Sequence, residues 1–409
     1  MIDLNRPVNL ASPEFAKDKY EWYERIREER PVFQTKISVL TVYTVSRYED
    51  CTNVLKDPNV LRNRTTATGG SRFPFPMPKS VQPLVQSMIQ EDDPNHRRLR
   101  ELVRRAFRPQ AIEQLESQID AYSHELLDGL ARRDSFDLQA DYARPIPIRM
   151  IGDMMGLSRE AVPQFQKAIR VLSEGFNGLK VLRTLFLDLP GAVRFVRALL
   201  DEKRSMPGDD VLTGLIEAED DGDRLTDDEL VAMVFLLIVG GFETTLHLIT
   251  NGVVTLLEHP EQLQRLKEDP GLIDSAVEEI LRHRGPVHGT KPGYAREDIT
   301  LHGMTIPKGK PIMPLLAAAN HDPRVFEKPQ TFDIARSPNR HLGFGHGVHF
   351  CLGAHLARAE ARVALRNLFE RFPDLQLAVD PASLKLQAMP GWHRYDGLPV
   401  IAGKMRSAA

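Results

Sequence analysis

The sequence predicts a mainly α-helical protein with a small β portion, and three observations carry that expectation. Apolar positions recur at helical spacing through 111–130, 148–155 and 272–281. Short runs rich in β-branched and apolar residues are confined to 32–45 near the start and 384–402 near the end, the latter punctuated by Pro and Gly. A length of 409 residues has room for two or three domains, yet no Ser/Gly-rich linker, low-complexity run or internal repeat divides it. With 42% hydrophobic residues the chain can fill a large core, so one domain over 1–409 is expected.

Taken in order, Val32 to Val45 reads as a pair of short strands through Val39, Leu40, Val42, Tyr43 and Val45. Tyr48 to Leu55 is helical in pattern and carries Cys51, expected in the core. Arg72 to Lys79 alternates Phe73, Phe75 and Met77 with prolines, which forbids regular helix and favours extended backbone. It is either an exposed polyproline-type ligand or an apolar lid. Asp93 to Arg100 opens another helix, with His96 and Arg100 four apart on one face, a spacing that grips carboxylates. Arg97, Arg98, Arg104 and Arg105 extend a basic surface around it, either a solvated face or a dock for an acidic protein.

The longest helix starts at Thr226-Asp-Asp-Glu229, a capping box, and runs to His259, where Pro260 stops it. Ten apolar residues, Leu230 to Val239, precede Gly240-Gly241-Phe242-Glu243-Thr244-Thr245. A membrane span needs about 20 apolar residues, so the Gly pair and the acid argue against one. Two adjacent glycines cost roughly 1–2 kcal/mol of helix propensity, which predicts a bend or a close approach by another group. Glu243 beside Thr244 suits a proton path, whereas a Thr bonded to its own backbone is the plainer alternative. Helical spacing puts Gly240, Leu236 and Met233 on the face of Thr244. Glu279 and Arg282 share a face of the next helix and can pair.

Phe344 to Gly353, Phe-Gly-His-Gly-Val-His-Phe-Cys-Leu-Gly, holds three glycines, two histidines and one cysteine, and leads into the helical stretch Ala354 to Phe369. A cysteine at a helix start faces unpaired N–H groups and the positive end of the dipole, both favouring thiolate. Glycines let backbone approach a flat cofactor. One cysteine is too few for structural zinc and the right number for an axial haem ligand. A buried free thiol in a Gly-rich turn is the alternative.

Charge narrows the partners. A net charge of −3 gives no drive toward nucleic acid or anionic membrane. Met1 to Phe15 contains Asp3, Arg6 and Glu14 and no continuous apolar run, so no signal peptide or membrane anchor is expected, and a soluble cytoplasmic protein is. Cys51 and Cys351 are the two cysteines; a disulfide between them would consume the candidate ligand.

The loop resembles the haem-binding loop of cytochrome P450, Phe-Gly-x-Gly-x-His-x-Cys-x-Gly, at every fixed position, and Gly240 to Thr244 resembles the Ala/Gly-Gly-x-Asp/Glu-Thr segment of the family's distal helix. The resemblance implies a single-domain cytochrome P450 fold with haem b between the long distal helix and the proximal cysteine loop. It implies Cys351 as axial iron ligand, His349 near a propionate, Phe344 beside the sulfur and Gly353 in the same cofactor-binding loop. Glu243 and Thr244 take proton-delivery roles, and His96 and Arg100 form the family's His-x-x-x-Arg propionate clamp. Glu279 and Arg282 join Arg336 in a buried structural triad. Phe73 and Phe75 fall in the variable loop over the substrate; Val287, Thr290 and Met389, with Met233, Leu236 and Gly240, fall where the family lines its pocket. One departure stands out: Lys291-Pro-Gly-Tyr-Ala295 has Gly293 where the family usually places a basic residue near a propionate. Lys291, His288 or no residue at all can take that contact.

The activity implied is a soluble bacterial-type haem-thiolate monooxygenase. It would hydroxylate or epoxidise a hydrophobic small molecule, such as a secondary metabolite, terpenoid, fatty acid or xenobiotic. The oxidant is O2, with two electrons from NAD(P)H through a ferredoxin or flavodoxin and its reductase. A peroxide-driven peroxygenase could dispense with the acid–alcohol pair that this chain retains. A haem sensor would show thiolate ligation and no product.

Overall fold

The structure, a computed structural model, describes residues 8–37, 40–71, 78–106, 109–158, 161, 165, 183–220 and 222–403. Phe73, Phe75 and Met77 lie outside the described residues. The expected helices are present as Tyr48–Lys56, Asn95–Ala106, Pro109–Leu130, Pro145–Met154, Asp227–Glu258, Ile273–Arg284 and Ala354–Arg371.

The expected strand pair is Val32–Ile37 and Leu40–Val45, antiparallel from Val32↔Val45 to Ile37↔Leu40. Its sheet is completed by pieces distant in sequence. Pro311–Pro314 runs parallel to Leu40–Val45, Gly293–Ala295 antiparallel to Pro311–Pro314, and Val60–Leu61 antiparallel to Gly293–Ala295. The expectation of several strands in 384–402 is corrected: only Pro399–Ile401 is a strand there, and Leu386↔Tyr395 is a single bridge. Gly391 sits at φ +73° and turns the chain after Pro390. His393 beyond it is 3% exposed, packed in the interior instead of a ladder.

The long helix Asp227–Glu258 begins with the complete capping box, Thr226 and Glu229 satisfying each other's backbone N–H groups. At ~1.5 Å per residue its 32 residues reach about 48 Å. By length and composition it could cross a membrane, but most of its apolar window is inside the protein. It packs against Pro145–Met154, Ile273–Arg284 and Ala354–Arg371. Gly252 makes this crossing possible: a Cβ there would stand 3.2 Å from both Ile280 and Leu365. Cys51 is fully buried in a second cluster with Val45, Val54 and Leu316. Burial pushes its thiol well up, as expected of a core residue.

Candidate active site

The long helix and the cysteine loop face each other across a cavity of about 690 Å³. Helix residues Leu236, Gly240, Thr244 and Leu248 form one wall; Phe344, Gly345, Cys351 and Gly353 form another. Val287, Thr290 and Met389 also line it. Met233 is corrected: it is 1% exposed within the core cluster and does not line the cavity. Eleven residues before Thr244 it shares the helix face, but at ~1.5 Å per residue it lies about 16 Å further along the axis.

The glycine pair is a close approach within continuous helix. A Cβ on Gly241 would stand 3.1 Å from Ile151, so it seats the neighbouring helix, whereas a Cβ on Gly240 meets nothing within 4 Å. The Thr244 hydroxyl donates to the Gly240 carbonyl. Glu243 accepts a hydrogen bond from Arg394 Nη1 at 3.1 Å, and both side chains are largely buried.

On the opposite wall, the Cys351 amide donates to Phe344 O at 3.0 Å, closing the loop, and the Gly353 amide bonds to the sulfur. Gly345 and Gly347 adopt φ +73° and +74°, and a Cβ at 347 would come within 2.7 Å of Leu55 O. Burial pushes the Cys351 thiol up, partly offset by the Gly353 amide, Arg100 and Arg358. The Arg358 guanidinium lies 4.5 Å over the Phe344 ring and pairs with Glu278 at 2.6 Å. His341 also reaches Glu278, at 2.9 Å. Burial raises the Glu278 carboxyl, and these two partners more than reverse it, to about 2.

His96, Arg100 and His349 all border the cavity, and the His96 and His349 ring centroids are 4.1 Å apart. His96 is 2% exposed and its Nε2 has no hydrogen-bond partner among the described residues. Burial, then Arg100, lower its pKa. His349 is lowered to about 2 by burial and by His96, Arg62, Lys291 and Arg100. The basic surface is a solvated face, one of its two readings, with Arg97 and Arg104 largely exposed and each of the four arginines bonded locally. Arg97 pairs with Asp93 at 2.7 Å, Arg104 with Glu101 at 2.8 Å, and Arg98 with Asp223 and Glu229; Arg105 bonds Glu219 O. Acids interleaved along the helix and from the 219–229 segment neutralise most of its charge.

The triad is assembled. Glu279 meets Arg282 at 2.7 and 2.8 Å and Arg336 at 3.1 Å, and also accepts from the Asp333 amide and Asn339.

Sequence reasoning missed Arg394, Arg358 and Glu360. Arg394 lies 151 positions from Glu243 and gave no local signal. Glu360 did: it falls on the helix face begun by Gly353 and Ala357, amid alanines. It is 2% exposed and borders the cavity. Burial raises its carboxyl to about 8, against a bond to the Thr245 hydroxyl that lowers it. The unfolded chain releases this proton near pH 4.5, the folded protein near 8. The raised folded pKa therefore contributes stability that is complete below the unfolded pKa and lost as pH rises toward the folded one, by about 1.4 kcal/mol per unit at most. Glu360→Gln, which does not titrate, is expected to be more stable than the parent at pH 8 and to lose that advantage toward pH 5. Urea unfolding at both pH values measures it, and a gap that does not widen between them removes Glu360 as the titrating group.

Such a cavity, with one cysteine thiol, an open glycine on each wall and, among the described residues, an unpartnered imidazole nitrogen and a guanidinium at one end, fits a flat, iron-bearing, carboxylate-carrying cofactor. Gly240 and Gly353 leave the space that a Cβ would enter, and the orphaned His96 Nε2 and the Arg100 guanidinium suit carboxylates. These features match what a haem-thiolate oxygenase requires of its site.

The cytochrome P450 family model matches residues 153–270 and 271–385. Cytochrome P450 107B1 of Saccharopolyspora erythraea is 39% identical over 394 residues, covering 95% of this chain and 96% of the relative. Among solved structures, the bacillaene polyketide synthase cytochrome P450 PksS of Bacillus subtilis 168 superposes with TM-score 0.90 at 34% identity, covering 97% of this chain and 99% of that one. The myxobacterial cytochrome P450 CYP267B1, solved with myristic acid, gives 0.89 at 36% identity over 97% and 99%. The chain belongs to the cytochrome P450 family. It is a haem b monooxygenase of the soluble bacterial type that acts on hydrophobic small molecules with O2. Two electrons come from NAD(P)H through a ferredoxin-type partner and its reductase.

Proposed function

We propose that the Cys351 sulfur would ligate the haem iron and that Glu243 and Thr244, on the long helix across the cavity, would serve proton delivery. The observation that carries this reading is the placement of Cys351 and Thr244 on walls of one cavity, with Gly240 open beside the Thr hydroxyl. Bound haem supplies oxygen activation, which thiolate donation favours. The residues do the rest. His96, Arg100 and His349 hold the propionates, Phe344 and the Gly353 amide shield and orient the sulfur, and Leu236, Gly240, Val287, Thr290 and Met389 contact substrate. Apolar side chains predominate among these contacts, so the substrate is held by burial and oriented by shape. The Thr244 hydroxyl, which donates to Gly240 O at the cavity wall, would hold a proton at its Oγ1 for delivery into the cavity. Glu243, held by Arg394 Nη1, restores that proton from solvent. The chain acts as one domain over 1–409, in the cytoplasm. Its substrates are fatty acids, terpenoids, other secondary metabolites or xenobiotics of moderate size, in keeping with the relative solved with myristic acid.

Thr244→Ala tests the proton route. Product formed per NAD(P)H is expected to fall roughly ten-fold or more, with the missing reducing equivalents appearing as hydrogen peroxide. Unaltered coupling would take Thr244 out of the mechanism. Substrates for the assay come from a screen of fatty acids, terpenoids, steroids and macrolides for the spin-state change on displacing distal water.

A further inference from the structure

Gly293 leaves a gap in the charge pattern at the cation-rich end of the cavity, and a neighbouring strand fills it. Val60 pairs with Ala295 and Leu61 with Tyr294, so the next residue, Arg62, comes opposite Gly293. By strand alternation Arg62 and Val60 share a face, the one toward which a side chain at 293 would project. That side chain has no room, since a Cβ on Gly293 would stand 2.5 Å from Val60 Cγ1. Arg62 is 8% exposed and borders the cavity with His96, Arg100 and His349.

The guanidinium is under-compensated for so buried a charge. Its one hydrogen bond among the described residues goes from Nη1 to the Lys291 carbonyl. The nearby Asp92 carboxylate is occupied by backbone, accepting from the amides of Arg62 at 2.6 Å and Asn63 at 3.0 Å. Arg62 forms no salt bridge among the described residues, and neither does Arg100. Two buried or half-buried guanidiniums and an orphaned imidazole nitrogen at one end of a cavity call for an anion, because an unpaired buried charge is costly.

We propose that Arg62 is a carboxylate ligand of the cofactor, taking over from the neighbouring strand the propionate contact that Gly293 cannot make. The proposal rests on the placement of haem in this cavity and extends it by one residue. Arg62 is a positioning residue: it holds the cofactor's edge and touches no reacting atom.

The test measures haem loss from the holoenzyme to excess apomyoglobin, for protein reconstituted with haem or with its dimethyl ester, which lacks the propionate charges. With haem, Arg62→Gln is expected to speed loss about ten-fold, equivalent to about 1.4 kcal/mol. Arg62→Lys, which keeps a charge without the fork, should fall between the two. With the diester, parent and variants should lose the cofactor at the same rate, which a general weakening of the fold would not produce. Arg64→Gln, at a half-buried position bonded to the Ser71 carbonyl and away from the cavity lining, serves as control and should match the parent throughout. Equal loss rates with haem, or a difference that persists with the diester, overturns the proposal. If Arg62 instead held a substrate carboxylate, haem loss would be unchanged and Arg62→Gln would weaken binding of palmitate and not of methyl palmitate. Arg100→Gln separates the two levels of the argument. If it speeds haem loss while Arg62→Gln does not, only the Arg62 assignment fails; if neither does, the placement of the propionates fails as well.

Discussion

Replacing Glu279 with Ala is expected to lower the stability of the protein by about 3–5 kcal/mol, enough to unfold much of a marginally stable domain. Its carboxylate is fully buried and accepts from Arg282, Arg336, Asn339 and the Asp333 amide. Arg282 is itself fully buried, and its remaining donors go to the carbonyls of Asn320, Pro329 and Thr331. Arg336 adds bonds to the carbonyls of Glu327 and Thr331. The triad therefore ties helix Ile273–Arg284 to the irregular segment 320–339, which leads to the cysteine loop. Removing the acid leaves two guanidiniums facing each other with no counter-charge. Glu279→Gln keeps the shape and the acceptor oxygen, so it should cost less than Ala and still leave the cations uncompensated. Urea unfolding with the haem content of the purified protein provides the check. A loss below about 1 kcal/mol for the Ala variant would mean that water or rearrangement satisfies the cations and that the triad does not hold this segment.

Elements were legible where the information is local. The long helix announces its start through Thr226 and Glu229 and its end through Pro260, and the i,i+3 spacing of Glu279 and Arg282 dictates their pairing in any helix. The cysteine loop was legible because several fixed positions must coincide. What was not legible depends on register and height. Nothing near Val60 says that it pairs with Ala295, so the placement of Arg62 opposite Gly293 appears only once the sheet is assembled. Helical periodicity gives Met233 the face of Thr244 but carries no distance along the axis, and the residue lies in the core. The 384–402 segment has the residue types of strands, but the turn at Gly391 and the burial of His393 take most of it out of a ladder. The arginines after His96 looked like an open basic patch because one-dimensional charge counting misses Asp223 and Glu229, which fold over onto Arg98.

Cys351→Ser should do the reverse of Glu279→Ala, abolishing the chemistry while sparing the fold. The loop is closed through backbone, by the Cys351 amide on Phe344 O, and by the Phe344–Arg358–Glu278 stack, none of which uses the sulfur. A hydroxyl is smaller than a thiol and of similar shape, so the unfolding free energy of the variant should stay within about 1 kcal/mol of the parent. The contribution proposed for the sulfur is electronic: as an iron ligand a thiolate would push electron density toward the metal, and an alcohol that stays protonated at neutral pH would not. Product formation is accordingly expected to fall by at least two orders of magnitude, about 3 kcal/mol in the barrier. Haem is expected to remain bound in part, because on the proposed placement His96, Arg100 and Arg62 would still hold its propionates. Measured together, haem content, the ligand-field signature of the reduced carbon monoxide complex and turnover separate the two contributions. Retention of turnover within ten-fold of the parent, with the thiolate signature gone, would show that the propionate edge and the acid–alcohol pair suffice, and that Cys351 does not determine the activity.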